Sequence, residues 1–224
     1  MKVVVKGALS AILGLAFFAV LIFPPAGTFD YWQAWVFLAV FAISTWIPSV
    51  YLMRHNPAAL ERRMRVGPQA ETRTVQRVVI AVIFVCFPAM FVVSALDHRF
   101  GWSTVPDAAC LAGDALVAIG LGTTMLVVIQ NGYAAANVVI EEGQRLVSTG
   151  LYALVRHPMY TGSVVLMAGI PLALGSLWGL LFLIPGVLVL VVRIGDEEAL
   201  LNAELAGYPE YTRKVRYRLL PGAW

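Results

Sequence analysis

Uncharged apolar runs alternate with short charged segments along most of the chain. The runs Gly7 to Phe29, Tyr31 to Met53, Val78 to Leu96 and Ala115 to Ile140 contain no Asp, Glu, Lys or Arg. Each reaches the roughly 20 residues that a helix needs to cross the hydrocarbon core, so the pattern predicts four spans. A fifth run, Pro158 to Val192, is too long for one span, because as a single helix it would measure about 52 Å. It is predicted to fold back at "LGSLWG", residues 174–179, where Gly175, Ser176 and Gly179 permit a turn and Trp178 suits an interface. The same letters fit a GxxxG packing motif, which leaves the excess length unexplained. Beyond the run, "DEEALLNAELAGYPEYTRKVRYR" has the pattern of an amphipathic interfacial helix that Gly207 and Pro209 terminate. The expected fold class is therefore all-α: a polytopic integral membrane protein of about six transmembrane helices, with spans 5 and 6 forming a hairpin and a C-terminal interfacial helix.

Composition agrees. Hydrophobic residues make up 60% of the 224, charged residues 13%, and the mean hydropathy is +0.80, well outside the range of water-soluble domains. Residues 1–224 read as a single membrane domain, with four spans in 1–131. Lys2 and Lys6 precede the first run as in a signal peptide, but its apolar stretch is long and "PPAG" is no clear cleavage site, so it is expected to be retained.

Charge placement tests the hairpin independently. With a cytoplasmic N-terminus and six spans, Lys2, Lys6, the arginines from Arg54 to Arg77, Arg145, Arg156 and the basic residues from Arg193 onward share one side. Only Arg99 of the 16 Lys and Arg falls on the other. Basic residues accumulate on the cytoplasmic side of short loops, so both termini are expected there. The basic segment 54–77 sets topology and can also attract anionic headgroups. Membrane lipid is an expected partner, and nucleic acid is not.

The hairpin also brings "RHPMYTG", residues 156–162, to the same face as "RIGDEEALL", residues 193–201. Arg193 and Glu197 are one turn apart and share a helix face, whereas Glu198 points about 100° away. Other motifs carry less. "GLG" at 120–122 lacks a third glycine, lies within a span and reads as helix packing. Cys86 and Cys110 form no CxxC pair, and with His55, His98 and His157 scattered, no disulfide framework or metal site is expected. Glu141 and Glu142 read as solvated loop charges.

In order, "GQRLVSTGLYALVRHPMYTG", a hairpin, Arg-x-x-x-Glu-Glu and "GYPEYTRKVRYRLLPG" resemble the isoprenylcysteine carboxyl methyltransferase family, which shares its cofactor-binding segment with the phospholipid methyltransferases. The resemblance runs from about Asn137 to the C-terminus and makes 132–224 the expected cofactor-binding methyltransferase region. It implies S-adenosylmethionine as cofactor, bound at the cytosolic membrane face without a Rossmann domain. Gln144, Arg145, Leu146, Val147, Tyr152, His157, Pro158, Met159, Tyr160 and Glu197 would line that pocket. Arg193 would hold an acceptor carboxylate, and Asn137, Arg156 and Glu198 are further candidates. Gln144 stands where a His is usual, and the spacer between Glu198 and Tyr208 is short; both departures bear on the acceptor rather than the cofactor.

Chemistry makes these assignments sensible. Glu197 can accept hydrogen bonds from an ammonium or ribose hydroxyls, His157 can donate or accept, and Tyr152 and Tyr160 offer faces to adenine or a sulfonium. Methyl transfer is an in-line displacement, so the protein chiefly aligns the reactants and excludes water. A carboxylate acceptor needs no general base, whereas an amine must first lose a proton, for which Glu198 or His157 would serve. The expected acceptor is lipophilic: an isoprenylcysteine-like carboxylate, with a phospholipid amine as the alternative. Two rival classes remain. Sterol reductases that use NADPH carry a similar "RHxxYxG" signature but are usually larger. A transporter or scaffold is disfavoured because no charge lies deep in a predicted span and no inverted repeat is visible.

Overall fold

The computed structural model describes residues 2–64, 73–134, 140, 143–222 and 224. They form helices α1 (Lys2–Ala26), α2 (Trp32–His55), α3 (Pro57–Met64), α4 (Thr74–Phe100), α5 (Asp107–Gln130), α6 (Pro158–Ala173), α7 (Leu183–Glu204) and α8 (Tyr208–Lys214). No β-strand occurs among the described residues. Four helices are long and apolar enough to cross a membrane: α2, α4, α5 and the continuous helical stretch Trp178–Glu204. Two shorter apolar helices, Ile12–Ala26 within α1 and α6, pack among them.

The fold-back falls where excess length predicted it. Helix α6 ends at Ala173, Leu174 caps it, and Gly175 turns the chain with a φ of +68°, a conformation that a Cβ disfavours. Ser176 then accepts from the Gly179 amide at 3.0 Å while donating to Asp97 Oδ2 at 2.6 Å. The Tyr31 hydroxyl donates to the Leu174 carbonyl at 2.5 Å, so the N-cap of α2 and Asp97 of α4 both grip the turn.

Helices α5 and α6 lie backbone against backbone. A Cβ on Gly120 would meet the Gly162 carbonyl oxygen at 2.7 Å, and one on Gly169 would meet the Gly113 carbonyl oxygen at 2.8 Å. This small-residue seam gives close van der Waals packing where lipid removes most of the hydrophobic driving force. It also accounts for Gly120 of "GLG", while Gly122 faces open space.

Two boundaries differ from the sequence reading. The fourth span runs from Asp107 to Gln130 rather than from Ala115 to Ile140. Asp107 and Asp114 therefore belong to the helix, and Asp114 is only 4% exposed. Its carboxylate oxygens have no hydrogen-bond partner among the described residues. A reading based on uncharged runs stops at such a residue, and the expectation of no charge deep in a span is corrected here. The expected C-terminal interfacial helix is also divided. Its first part is the end of α7, and after Gly207, with φ +83°, the chain starts the short α8. Tyr208 and Tyr211 of α8 are buried against Leu205, Leu146 and Ile140 rather than laid on a lipid surface.

Candidate functional site

The chain reverses between α6 and α7, so the N-terminus of α6 and the C-terminal end of α7 lie at the same end of the bundle. There the Tyr160 hydroxyl donates to Glu197 Oε2 at 2.5 Å, and His157 Nε2 lies 3.1 Å from Glu198 Oε1. The two segments singled out in the sequence are thus in direct contact. Pro158 occupies the first turn of α6, where its missing N–H is no loss.

The two glutamates serve different surroundings, as the angle between neighbouring helix positions requires. Glu198 faces inward and gathers cations. Arg156 Nε lies 2.9 Å from its Oε1, and Arg218 Nε donates to its Oε2 at 3.0 Å. The Arg156 contact is an ion pair without hydrogen-bond alignment, since Nε has no hydrogen-bond partner among the described residues. The backbone follows the same path. Amides of Arg156 and His157 donate to the carbonyls of Tyr217 and Arg218, each at 2.9 Å, so the tail runs alongside the start of α6.

Glu197 instead lines a half-open pocket with a cavity volume of about 110 Å³. Gln144, Arg145, Leu146 and Val147 line one part, and Tyr152, Arg156 and the segment from His157 to Tyr160 another. Tyr160 engages only Oε2 of Glu197; no hydrogen bond to Oε1 occurs among the described residues. Arg193 and Glu198 are not among the lining residues, and Asn137 lies outside the described residues.

Several lining residues were missed. Asn131 caps α5 and donates from Nδ2 to the Tyr152 hydroxyl at 3.1 Å, holding one wall. Placing the span end at Ile140 hid it. Leu200, Leu201 and Leu205 lie three, four and eight positions after Glu197, so helical periodicity already put them on its face. Tyr208 and Tyr211 complete the wall from α8, and the Tyr211 hydroxyl donates to the Tyr152 carbonyl at 2.7 Å. The Tyr208 hydroxyl is buried with no partner among the described residues.

Burial raises the pKa of the lining residues Tyr152, Tyr208 and Tyr211, which lie outside the spans. For Tyr152 the Asn131 hydrogen bond opposes that rise and the Glu197 charge adds to it. For Tyr208 the charges of Glu198 and Glu197 reinforce burial, and for Tyr211 the nearby Tyr152 does so. All three are therefore neutral phenols at physiological pH, able to donate hydrogen bonds and to present an uncharged ring face.

Behind the wall, Arg193 is 3% exposed and committed to protein partners. Its Nε donates to the Tyr160 hydroxyl at 2.9 Å and its Nη1 to Gln76 Oε1 at 2.8 Å. One to three turns deeper along α7, Val82, Ile83 and Cys86 of α4, Met167 of α6 and Phe182 and Val189 line a second, wholly apolar groove.

A family model described as phospholipid methyltransferase matches residues 108–205, which hold α5, α6, α7 and most of the pocket wall. That family acts at membranes on lipophilic acceptors and generally uses S-adenosylmethionine, so the match supports a membrane methyltransferase. No curated protein matches the chain.

Proposed function

We propose that the protein transfers a methyl group from S-adenosylmethionine to a lipophilic acceptor at the cytosolic membrane face. The observation that carries this reading is the pocket itself, built mostly within the matched segment and lined by groups that need a ligand's complement. The buried Tyr208 hydroxyl is orphaned, and Glu197 offers Oε1 beside a fixed Oε2. The fit is chemical. Glu197 suits an ammonium or ribose hydroxyls, Arg145 and Arg156 suit a carboxylate, and the tyrosine rings and Leu200, Leu201 and Leu205 suit adenine. Bound there, S-adenosylmethionine supplies an electrophilic methyl carbon on its sulfonium. The residues orient and desolvate, because an in-line displacement asks mainly for alignment. The apolar groove on α4, α6 and α7 is suited to the acceptor's lipid portion, reached from the bilayer.

For the acceptor, the first reading is an isoprenylcysteine-like carboxylate, carried by the motif order through "RHPMY" and Arg-x-x-x-Glu-Glu. A phospholipid amine is the second, favoured by the engagement of Arg193 with Tyr160 and Gln76 instead of the pocket. Calorimetric titration of the purified protein should show saturable binding of S-adenosylmethionine and none of NADPH; the reverse would assign a reductase. Turnover is then compared on a prenylcysteine analogue and a phosphatidylethanolamine, using wild type and Arg193→Lys. At saturating S-adenosylmethionine, a carboxylate held by the Arg193 fork predicts a far larger loss on the prenylcysteine than on the lipid amine. Wild-type activity confined to the lipid amine overturns the carboxyl reading and leaves the methyltransferase one intact.

A further inference from the structure

Gln76 is a polar side chain with no exposed surface, on a helix otherwise rich in Val, Ile and Phe. Burying an amide is favourable only when its hydrogen bonds are made, and Gln76 makes them with α7. Its Oε1 accepts from Arg193 Nη1 at 2.8 Å, while Nε2 donates to Asp196 Oδ2 at 2.7 Å and to the Arg193 carbonyl at 3.3 Å. Arg73, at the start of α4, closes on the same carboxylate from the outside. Its Nε and Nη2 reach Asp196 Oδ2 and Oδ1 at 2.8 and 2.6 Å, a bidentate pair. The chain of contacts continues inward from Arg193 Nε to the Tyr160 hydroxyl and from that hydroxyl to Glu197 at the pocket wall.

An arginine on a flexible stem loses entropy when it is held in one place, and each contact that fixes it removes alternatives. Here Gln76 fixes the guanidinium, the guanidinium fixes the Tyr160 oxygen, and that oxygen fixes one carboxylate oxygen of Glu197. We propose that Gln76, braced by the Arg73–Asp196 pair, is a positioning residue that holds the Arg193–Tyr160–Glu197 relay in its ligand-binding geometry. Cofactor affinity then depends on a helix outside the matched segment 108–205. The inference rests on S-adenosylmethionine occupying the pocket lined by Glu197.

The test is a double-mutant cycle on the full-length protein in lipid nanodiscs, read as the Kd for S-adenosylmethionine. Gln76→Met keeps size and shape and removes the amide; it should raise Kd about 10-fold, the worth of one hydrogen bond to a charged group. In a Tyr160→Phe background, where the relay is cut, Gln76→Met should change Kd by less than about twofold, because coupled groups are not additive. A merely structural role predicts the full loss in both backgrounds, and that result overturns the proposal. Should Gln76→Met fail to fold, the partly exposed Arg73→Gln decides. It should raise Kd about threefold in wild type and leave it unchanged in Tyr160→Phe. Wild-type affinity in both variants overturns the positioning role alone, whereas no binding by the wild-type protein overturns it together with the cofactor reading.

Discussion

Glu197 and Glu198 are adjacent on α7, yet their carboxylates face different partners. Glu197 meets one phenol and a pocket; Glu198 meets Arg156, His157 and Arg218 in the interior. The consequences of removing them should differ accordingly. Glu197→Ala should weaken S-adenosylmethionine binding by about 1.5 to 3 kcal/mol, the worth of a charge-assisted hydrogen bond, with little change in thermal stability. Glu198→Ala leaves the nearly buried Arg156 without its counter-charge and should destabilise the protein by about 3 to 5 kcal/mol. Paired calorimetric and thermal-unfolding measurements separate the two. If Glu197→Ala lowers the unfolding temperature as much as Glu198→Ala while sparing cofactor affinity, the division of roles between them is wrong. The division was legible only in part. Helix geometry separated the two side chains, but sequence spacing gave no sign that Arg218, 20 residues further on, would return to Glu198.

Among the elements, the hairpin was readable because length alone forbids a single helix over Pro158 to Val192, and a glycine sat where the turn was needed. The α5 boundaries were not, because the helix carries Asp107 and Asp114 at one end and stops at Gln130, before a turn at residues 131–134, while the sequence is still uncharged at the other. Gln76 was invisible for a similar reason: a polar residue beside Arg73 and Arg77 looks like part of a basic loop until α7 is laid against it. The glycine seam between α5 and α6 makes a sharper claim. Gly120→Leu should clash with the Gly162 carbonyl and the Leu166 backbone, separating the helices that hold Asn131 and His157. Overpacking of this kind costs at least about 1 to 3 kcal/mol, and more where backbone is the obstacle. Gly122→Leu, with no atom within 4 Å of its added Cβ, should leave unfolding in detergent unchanged. Equal tolerance of both substitutions would contradict the backbone-to-backbone packing.

At the scale of the whole molecule, polarity is distributed by end. One end of the bundle holds the pocket, the Glu198 cluster and the Arg73–Asp196 pair; the other holds Asp97, Ser103, Ser176 and the turn at Gly175. A water-soluble cofactor and a bilayer-dissolved acceptor can meet only where one end of the bundle reaches the interface, and the basic residues gather at the pocket end. Positive charge is retained on the cytosolic side during insertion, so that end should face the cytosol. Two exposed positions test the orientation with a membrane-impermeant maleimide applied to intact cells: Thr104→Cys between α4 and α5, and Ala206→Cys between α7 and α8. Thr104→Cys should label from outside, and Ala206→Cys should label only after the membrane is permeabilised. The opposite pattern would place the pocket outside, away from cytosolic S-adenosylmethionine. Labelling of both from outside would mean that the two ends do not lie on opposite faces of the bilayer, and the meeting of cofactor and lipid at one interface would then lose its geometric basis.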